Sequence, residues 1–219
     1  MRREAKIDLD AFAENLRRLL AVDDSFVLDA RADAHGHGAE RIVRVALDAG
    51  VSTVRVSPQQ ANLAGVKRSA LMTVAPRRHV VAAEAYGLVD GTLPVMTLIG
   101  EGIAVKPTPA GAGVSYGYSY HTTKSTTLAL VALGYADGVP RLASNRAEVL
   151  VGGGLSPLVG RVAMDQFVVD CAEGAPELGD PAVLFGLGAS SAQEWADHTE
   201  RSVLELTAGL GSRIRRVYS

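Results

Sequence analysis

The chain has 219 residues, 47% apolar and 21% charged, with a formal net charge of −2. That balance suits a globular chain with a buried core, and the absence of a basic block gives nucleic acid no electrostatic footprint. No apolar run reaches the roughly 18 residues of a membrane span, the start lacks a signal peptide's apolar core, and one cysteine, Cys171, cannot make an intramolecular disulfide, so a cytoplasmic protein with no nucleic-acid or membrane partner is expected.

Residues 8–20 read as an amphipathic helix, with Phe12, Leu16, Leu19 and Leu20 at helical spacing and Asp8 or Asp10 as the cap. Residues 25–28 form a short apolar strand that runs into a polar, glycine-broken loop at 31–38. A second helix over 39–49 ends at Gly50, followed by a strand at 51–56 and a short helix at 58–66 capped by Ser57. Further strands are expected at 70–74 and 80–85. Strands alternating with helices are the pattern of a parallel sheet.

From about Thr92 the texture changes to short β-branched runs, at 95–99, 103–105, 126–133, 148–151, 158–164, 167–170 and 182–185. Turn signals separate them at 107–109, 136–138, 152–154, 173–176 and 187–189, which predicts an all-β, barrel-like module. A helix from 192 to 199, or on to 210, and a strand at 213–218 complete the chain. The break falls near Asp90-Gly91, dividing residues 1–90 from 91–219.

Three segments of the second half stand out. They are Val114-Ser115-Tyr116-Gly117-Tyr118-Ser119-Tyr120, Leu133-Gly134-Tyr135-Ala136-Asp137-Gly138-Val139-Pro140-Arg141, and Gly160-Arg161-Val162-Ala163-Met164-Asp165-Gln166. In order and approximate spacing they resemble alanine racemases, and the stretch at 144–151 fits the same family. In the first half, Ala5-Lys6-Ile7-Asp8-Leu9-Asp10 and Ala32-Asp33-Ala34-His35-Gly36-His37-Gly38 look like the start of the racemase barrel. The resemblance covers about residues 4–66 and 79–218.

It implies a head-to-tail homodimer, in which an N-terminal barrel holds pyridoxal phosphate and a C-terminal β domain reaches over the partner's cofactor. It also implies that Tyr116 matches one of two catalytic bases, that Tyr135 is a second active-site tyrosine, and that the backbone at Met164 helps bind the substrate carboxylate. The cofactor positions differ. The family's lysine is replaced by Arg31 and its phosphate-contacting tyrosine by His35. The arginine facing the pyridine nitrogen aligns with Val80, a phosphate-loop glycine with Ala82, and a C-terminal phosphate-binding tyrosine with Ser212. A guanidinium stays protonated and cannot form a working internal aldimine.

Length points the same way. A complete eightfold barrel typically takes about 250 residues. The stretch ahead of the β module has room for three or four strands at roughly 30 residues per βαβ unit. The expected fold is therefore an abbreviated α/β layer over residues 1–90, a partial TIM-barrel remnant, followed by an all-β barrel-like C-terminal domain over 91–219.

Tyr116, Arg31, His35 and His37 are the candidate acid–base or anion-holding groups, and Tyr135, Asp137 and Met164 the candidate substrate contacts. Each has a plainer alternative. Tyr116, Tyr118 and Tyr120 read equally as packing rungs of a hairpin, Asp137 as ordinary Asp-Gly turn chemistry, and Arg31 as half of a salt bridge to Asp33 or Asp137. Asp33, His35 and His37 lack a further ligand at suitable spacing for a metal site. Cys171 reads as a buried filler, and Gly152-Gly153-Gly154 as a hairpin turn rather than a phosphate loop. The functional expectation is a racemase relative without cofactor or metal: a homodimeric isomerase, cyclase or lyase acting on a small organic substrate at a site shared between subunits. A non-catalytic pseudo-racemase that binds a ligand or partner is the second reading, and a pyridoxal-phosphate-dependent alanine racemase the third.

Overall fold

A computed structural model describes residues 1–63, 65–76, 78–172 and 176–219. The turn expected at 173–176 has its first three residues outside that set. The first elements are β1 (Glu4–Ile7), α1 (Leu9–Leu20), β2 (Val27–Asp29), α2 (Arg31–His35), α3 (Ala39–Asp48) and β3 (Val54–Arg55). Next come β4 (Leu71–Met72), β5 (Val80–Val81), β6 (Met96–Thr108), β7 (Gly113–Val114), β8 (Tyr120–His121) and β9 (Thr126–Val131). The chain continues through β10 (Glu148–Val151), β11 (Gly154–Val159), β12 (Phe167–Asp170) and β13 (Pro181–Phe185) to α4 (Ala192–His198), α5 (Val203–Ala208) and β14 (Arg215–Tyr218). Among the described residues no helix is long and apolar enough to cross a membrane.

Two compact units divide the chain. One comprises Lys6–Met96, Val203–Gly209 and Arg216–Ser219; the other comprises Met1–Ala5, Thr97–Ser202 and Leu210–Arg215.

The first unit holds a four-stranded sheet in the order β4-β3-β2-β5, with all three pairings parallel. Asp8 caps α1 by accepting from the Ala11 amide at 2.8 Å, and the helix buries Phe12 and Leu16. The α3 helix buries Ile42, Val43 and Ala46 and is followed by Gly50 at φ +104, as a left-handed stop requires. Of the helix expected at 58–66, the described residues show only a 3₁₀ turn over Pro58–Gln60, and residue 64 lies outside the described residues. The strands expected at 51–56 and 80–85 shrink to two residues each.

The loop expected at 31–38 contains α2, a turn of left-handed hand. Ala32, Asp33, Ala34 and His35 have φ of 51, 57, 53 and 49, a conformation costing roughly 1–2 kcal/mol per residue for L side chains. Tertiary contacts hold it. Asp33 Oδ1 accepts from the Ala39 amide at 2.8 Å, Ser57 Oγ from the Ala32 amide at 3.1 Å, and Arg216 Nε donates to Gly36 O at 2.9 Å. Gly36 is required here, since a Cβ would lie 2.2 Å from Thr207 O.

The second unit is a closed six-stranded antiparallel barrel. Its strands run β6-β13-β10-β11-β12-β9, and β9 pairs back to β6. The β1 strand, Glu4–Ile7, was not among the expected strands. Inward side chains, among them Ala129, Val131, Val149, Leu158, Val169 and Leu184, are buried and form the barrel core. Cys171 is buried with them as expected, and burial pushes its thiol pKa up. The runs expected at 95–99 and 103–105 are one strand, β6, whose pairing with β9 shifts register between Gly102 and Ala104. The strand expected at 158–164 stops at Val159, because Gly160 takes φ +74 and turns the chain into a loop. Gly152 and Gly153, at φ +59 and +81, make the hairpin turn between β10 and β11. The last helical stretch is two short helices, the first with a capping box between Ser191 and Glu194.

Candidate active site

In the barrel unit the β7–β8 hairpin presents the turn 115–119. Ser115 and Tyr118 both sit at positive φ, +61 and +46, strain of order 1–3 kcal/mol each that surrounding contacts must hold. Ser115 Oγ donates to Arg161 O at 2.7 Å, and Gly113 lies where a Cβ would meet the Tyr118 ring at 2.5 Å. The turn lifts Tyr116 into solvent, 72% exposed. Of the three tyrosines read as possible rungs, Tyr120 alone is pinned by its phenol. Its hydroxyl donates to Asp170 Oδ2 at 2.7 Å, and that bond raises its pKa to about 12.

A second turn carries Tyr135. Gly134 packs so closely on the neighbouring loop that a Cβ would lie 2.3 Å from Met164 O. The amides of Tyr135 and Ala136 donate to Ala163 O and Met164 O, each at 3.0 Å. Beneath the turn Asp137 is fully buried, its Oδ2 accepting from the Gly134 amide at 2.9 Å and its Oδ1 from Arg213 Nε at 2.8 Å. Arg3 Nη1 lies 3.7 Å from the same Oδ1. Arg213 also donates from Nη1 to Asp165 at 2.7 Å, and these bonds raise its pKa. Asp137, expected as a substrate contact, is therefore placed as the strut of the Tyr135 turn, with no surface to offer a ligand.

These two turns and the 160–166 loop enclose a concavity of about 570 Å³. Tyr116, Tyr135, Arg141, Arg161, Met164 and Gln166 line it, with Asp165 at its edge. The Arg141 guanidinium stands over the Tyr135 ring, 5.8 Å from its centroid, and the Arg161 guanidinium lies against Gly117. Among the described residues neither has a carboxylate partner, and the lining's one carboxylate, Asp165, is already paired with Arg213. The sequence motifs thus bring Tyr116, Tyr135 and Met164 together. Arg141 and Arg161 were not singled out, although each stands in a quoted motif. What marks them is the lack of an ion-pair partner, which appears only in three dimensions.

In the α/β unit the candidate residues cluster at the end of β2, the side where parallel sheets bind ligands. Arg31 folds back onto Asp29, with Nε 2.9 and 3.0 Å from the two carboxylate oxygens and Nη2 2.6 Å from Oδ2. Its partner is Asp29, not the expected Asp33 or Asp137. Burial pushes the Asp29 carboxyl up, but the bonds from Arg31 outweigh it and hold the pKa below the ordinary value. His35 Nε2 lies 3.9 Å from Asp29 Oδ1, and burial lowers its pKa. Tyr86 is buried, donates to Asp29 O at 2.9 Å, and places its ring 5.5 Å from His35 and 4.7 Å from His37.

His37 is wholly enclosed. Its Nδ1 faces Ala34 O at 3.0 Å and His35 O at 3.1 Å, so Nδ1 carries the proton, while Nε2 has no partner. Burial lowers its pKa to about 3. It holds the left-handed turn from inside and reaches no solvent. His35 keeps slight exposure, and Arg31 is the open group of this cluster. Among the described residues no group of three His, Cys, Asp or Glu side chains is placed to hold a metal ion.

The model of the alanine racemase C-terminal domain matches residues 95–218. An alanine racemase of Streptomyces coelicolor is 45% identical over 152 residues, which is 68% of this chain and 38% of the relative. One of Frankia casuarinae is 37% identical over 227 residues, 94% of this chain and 57% of the relative. The chain thus spans well under two thirds of the length of these relatives. Among solved structures, alanine racemase from a D-cycloserine-producing Streptomyces lavendulae has a TM-score of 0.90 at 25% identity, covering 100% of this chain and 97% of that one. For alanine racemase from Streptomyces coelicolor A3(2) the values are 0.86 and 26%, with 99% and 98% coverage.

Proposed function

Given that the chain belongs to the alanine racemase family, we propose that it is a member that does without pyridoxal phosphate and acts on a small organic acid with its own acid–base groups. The reaction class is an isomerisation, cyclisation or elimination. One observation supports the reading: Arg31, which the motif resemblance aligns with the cofactor lysine, is a guanidinium bonded through Nε and Nη2 to a buried carboxylate. A cofactor bound as an imine needs a primary amine that can lose its proton, and this donor set does not supply one. His35 and His37, beside it, are turned to Asp29 and to backbone carbonyls.

The concavity around Tyr116 supports the second half. Among the described residues Arg141 and Arg161 have no carboxylate partner, and they suit an anionic substrate, which they would hold through charge-assisted hydrogen bonds. The same guanidinia would favour negative charge developing on the substrate as Tyr116, acting as the phenolate after giving its own proton to solvent, takes a carbon-bound proton at Oη and the phenol so formed returns that proton at another position of the substrate. Tyr135 and the Met164 backbone line the same space and would fix orientation. We further propose a homodimer in which the Tyr116 segment of one copy completes a site with the α/β unit of the other. In this reading residues 1–90 are a partial TIM-barrel remnant, since its four parallel strands are half of an eightfold barrel, and residues 91–219 are the racemase-type β domain.

The test is proton exchange. In D₂O with a panel of small carboxylic acids, proton NMR should show loss of a carbon-bound signal from at least one acid. Tyr116→Phe should slow that loss by about 10²-fold or more. A second reading, a ligand-binding protein without turnover, is favoured by the exposure of Tyr116 and the absence of any histidine from the lining. Binding of an acid without exchange would select it.

A further inference from the structure

Resting on the reading that this site takes a carboxylate, we infer that the acid it binds carries a branched aliphatic or aromatic substituent, seated in a second cavity behind Tyr116. That cavity has about 310 Å³ and is lined by Ser115, Tyr118, Leu130, Phe167 and Val168 together with Tyr116. It shares Tyr116, Ala163 and Gln166 with the larger concavity, so the two are lobes of one site on either side of the phenol.

The chemistry of the lobes differs. The larger one carries the Arg141 and Arg161 guanidinia, which have no carboxylate partner among the described residues, whereas the smaller one is lined by no charged side chain. Leu130 on β9 and Val168 on β12 are direct cross-strand partners. Their neighbours Ala129, Val131, Phe167 and Val169 are buried, so Leu130 and Val168 point to the outer face of the barrel. The solvated face of an antiparallel sheet is ordinarily polar at such positions. Here two adjacent aliphatic side chains are half-buried beside the Tyr116–Tyr118 turn. The Ser115 bond to Arg161 O holds that turn in place against the strain at Ser115 and Tyr118. A benzene ring fits a cavity of roughly 150 Å³. A lobe of about 310 Å³ is therefore far larger than the methyl group of alanine needs, and it has room for a leucyl- or benzyl-sized group.

The probes are acetate, butyrate, hexanoate and 3-phenylpropionate, titrated into the full chain and followed by NMR of the backbone amides. Affinity should rise by about two- to fourfold per methylene until the lobe is full, as expected for burial of apolar carbon. The amides of Leu130 and Val168 should respond to the longer acids and not to acetate. Leu130→Ser should flatten the length dependence, its fold being checked by circular dichroism, while Arg161→Gln should weaken all the acids together. If every acid binds with the same affinity, the tail site is wrong and the carboxylate reading stands. If length matters but Leu130→Ser leaves the slope intact, the tail lies elsewhere and the assignment fails. If no acid binds, the carboxylate reading fails first and takes this inference with it. Leu130 and Val168 signals that respond to protein dilution and to no acid would assign the lobe to a second copy of the chain.

Discussion

His37 should make the fold sensitive to acid over a defined range. It is wholly buried, Nδ1 donates to backbone carbonyls, and Nε2 has no partner, so the folded chain accepts a proton there only near pH 3. The unfolded chain accepts it near 6.5. Between those values the unfolded state binds more protons, so stability is full above about pH 6.5 and falls as the pH drops. At about 1.4 kcal/mol per unit, the loss is about 2 kcal/mol by pH 5 and at most about 5 kcal/mol by pH 3. His35 adds to the same slope, since burial lowers its pKa too. Asp29 acts in a lower window. Its pKa is held below the ordinary carboxylate value, so its contribution is present above that value and is lost only as pH falls through the folded one. Urea unfolding followed by circular dichroism at pH 7.5, 6 and 5 reads the effect, with His37→Leu as the comparison. At pH 7.5 the variant should be less stable by about 1–3 kcal/mol, because Ala34 O and His35 O lose a donor. Towards pH 5 the gap should narrow as the wild type loses its His37 contribution. Parallel curves, or a His37 resonance titrating near 6.5, would refute the reasoning.

The other predictions concern the site and the assembly. Asp137→Ala leaves the buried Gly134 amide without its acceptor and releases Arg213 from the turn. It should cost about 1–3 kcal/mol in urea unfolding and weaken acid binding; unchanged stability would show that Asp137 is not the strut. Arg31→Lys should not create a pyridoxal phosphate site, because Asp29 would still hold the new ammonium as an ion pair; a stable adduct on that variant would show otherwise. Light scattering at micromolar concentration should give about 46 kDa, twice the 22.9 kDa of one chain, and a mass near the monomer value would remove the shared-site part of the proposal.

The barrel was legible because short β-branched runs fall between glycine turns, with period-2 burial as in Glu148–Val151. The left-handed turn at α2 was not. Ala32, Asp33, Ala34 and His35 have no local preference for positive φ strong enough to predict four in a row, and contacts from Ser57, Ala39, Thr207 and Arg216 impose it. Likewise, the bulge that joins two expected runs into β6 depends on the register of β9 and leaves little trace in β6 itself. At the site, motif order was enough to bring Tyr116, Tyr135 and Met164 to one concavity. It could not separate polar residues that face solvent from those enclosed in the scaffold, and Asp137 and His37 are both fully buried. Asp29 had a readable signal, since an acid two residues before an arginine lies close enough in the chain to pair with it.

The decisive property of this chain is whether it holds pyridoxal phosphate. The purified protein should be incubated with the cofactor, treated with borohydride and weighed intact by mass spectrometry, with D-alanine formation assayed in parallel. The prediction is the mass of the bare chain, 22.9 kDa, and no D-alanine from L-alanine. A stoichiometric reduced adduct on one lysine, accompanied by racemisation before reduction, would contradict it and identify the chain as a working racemase.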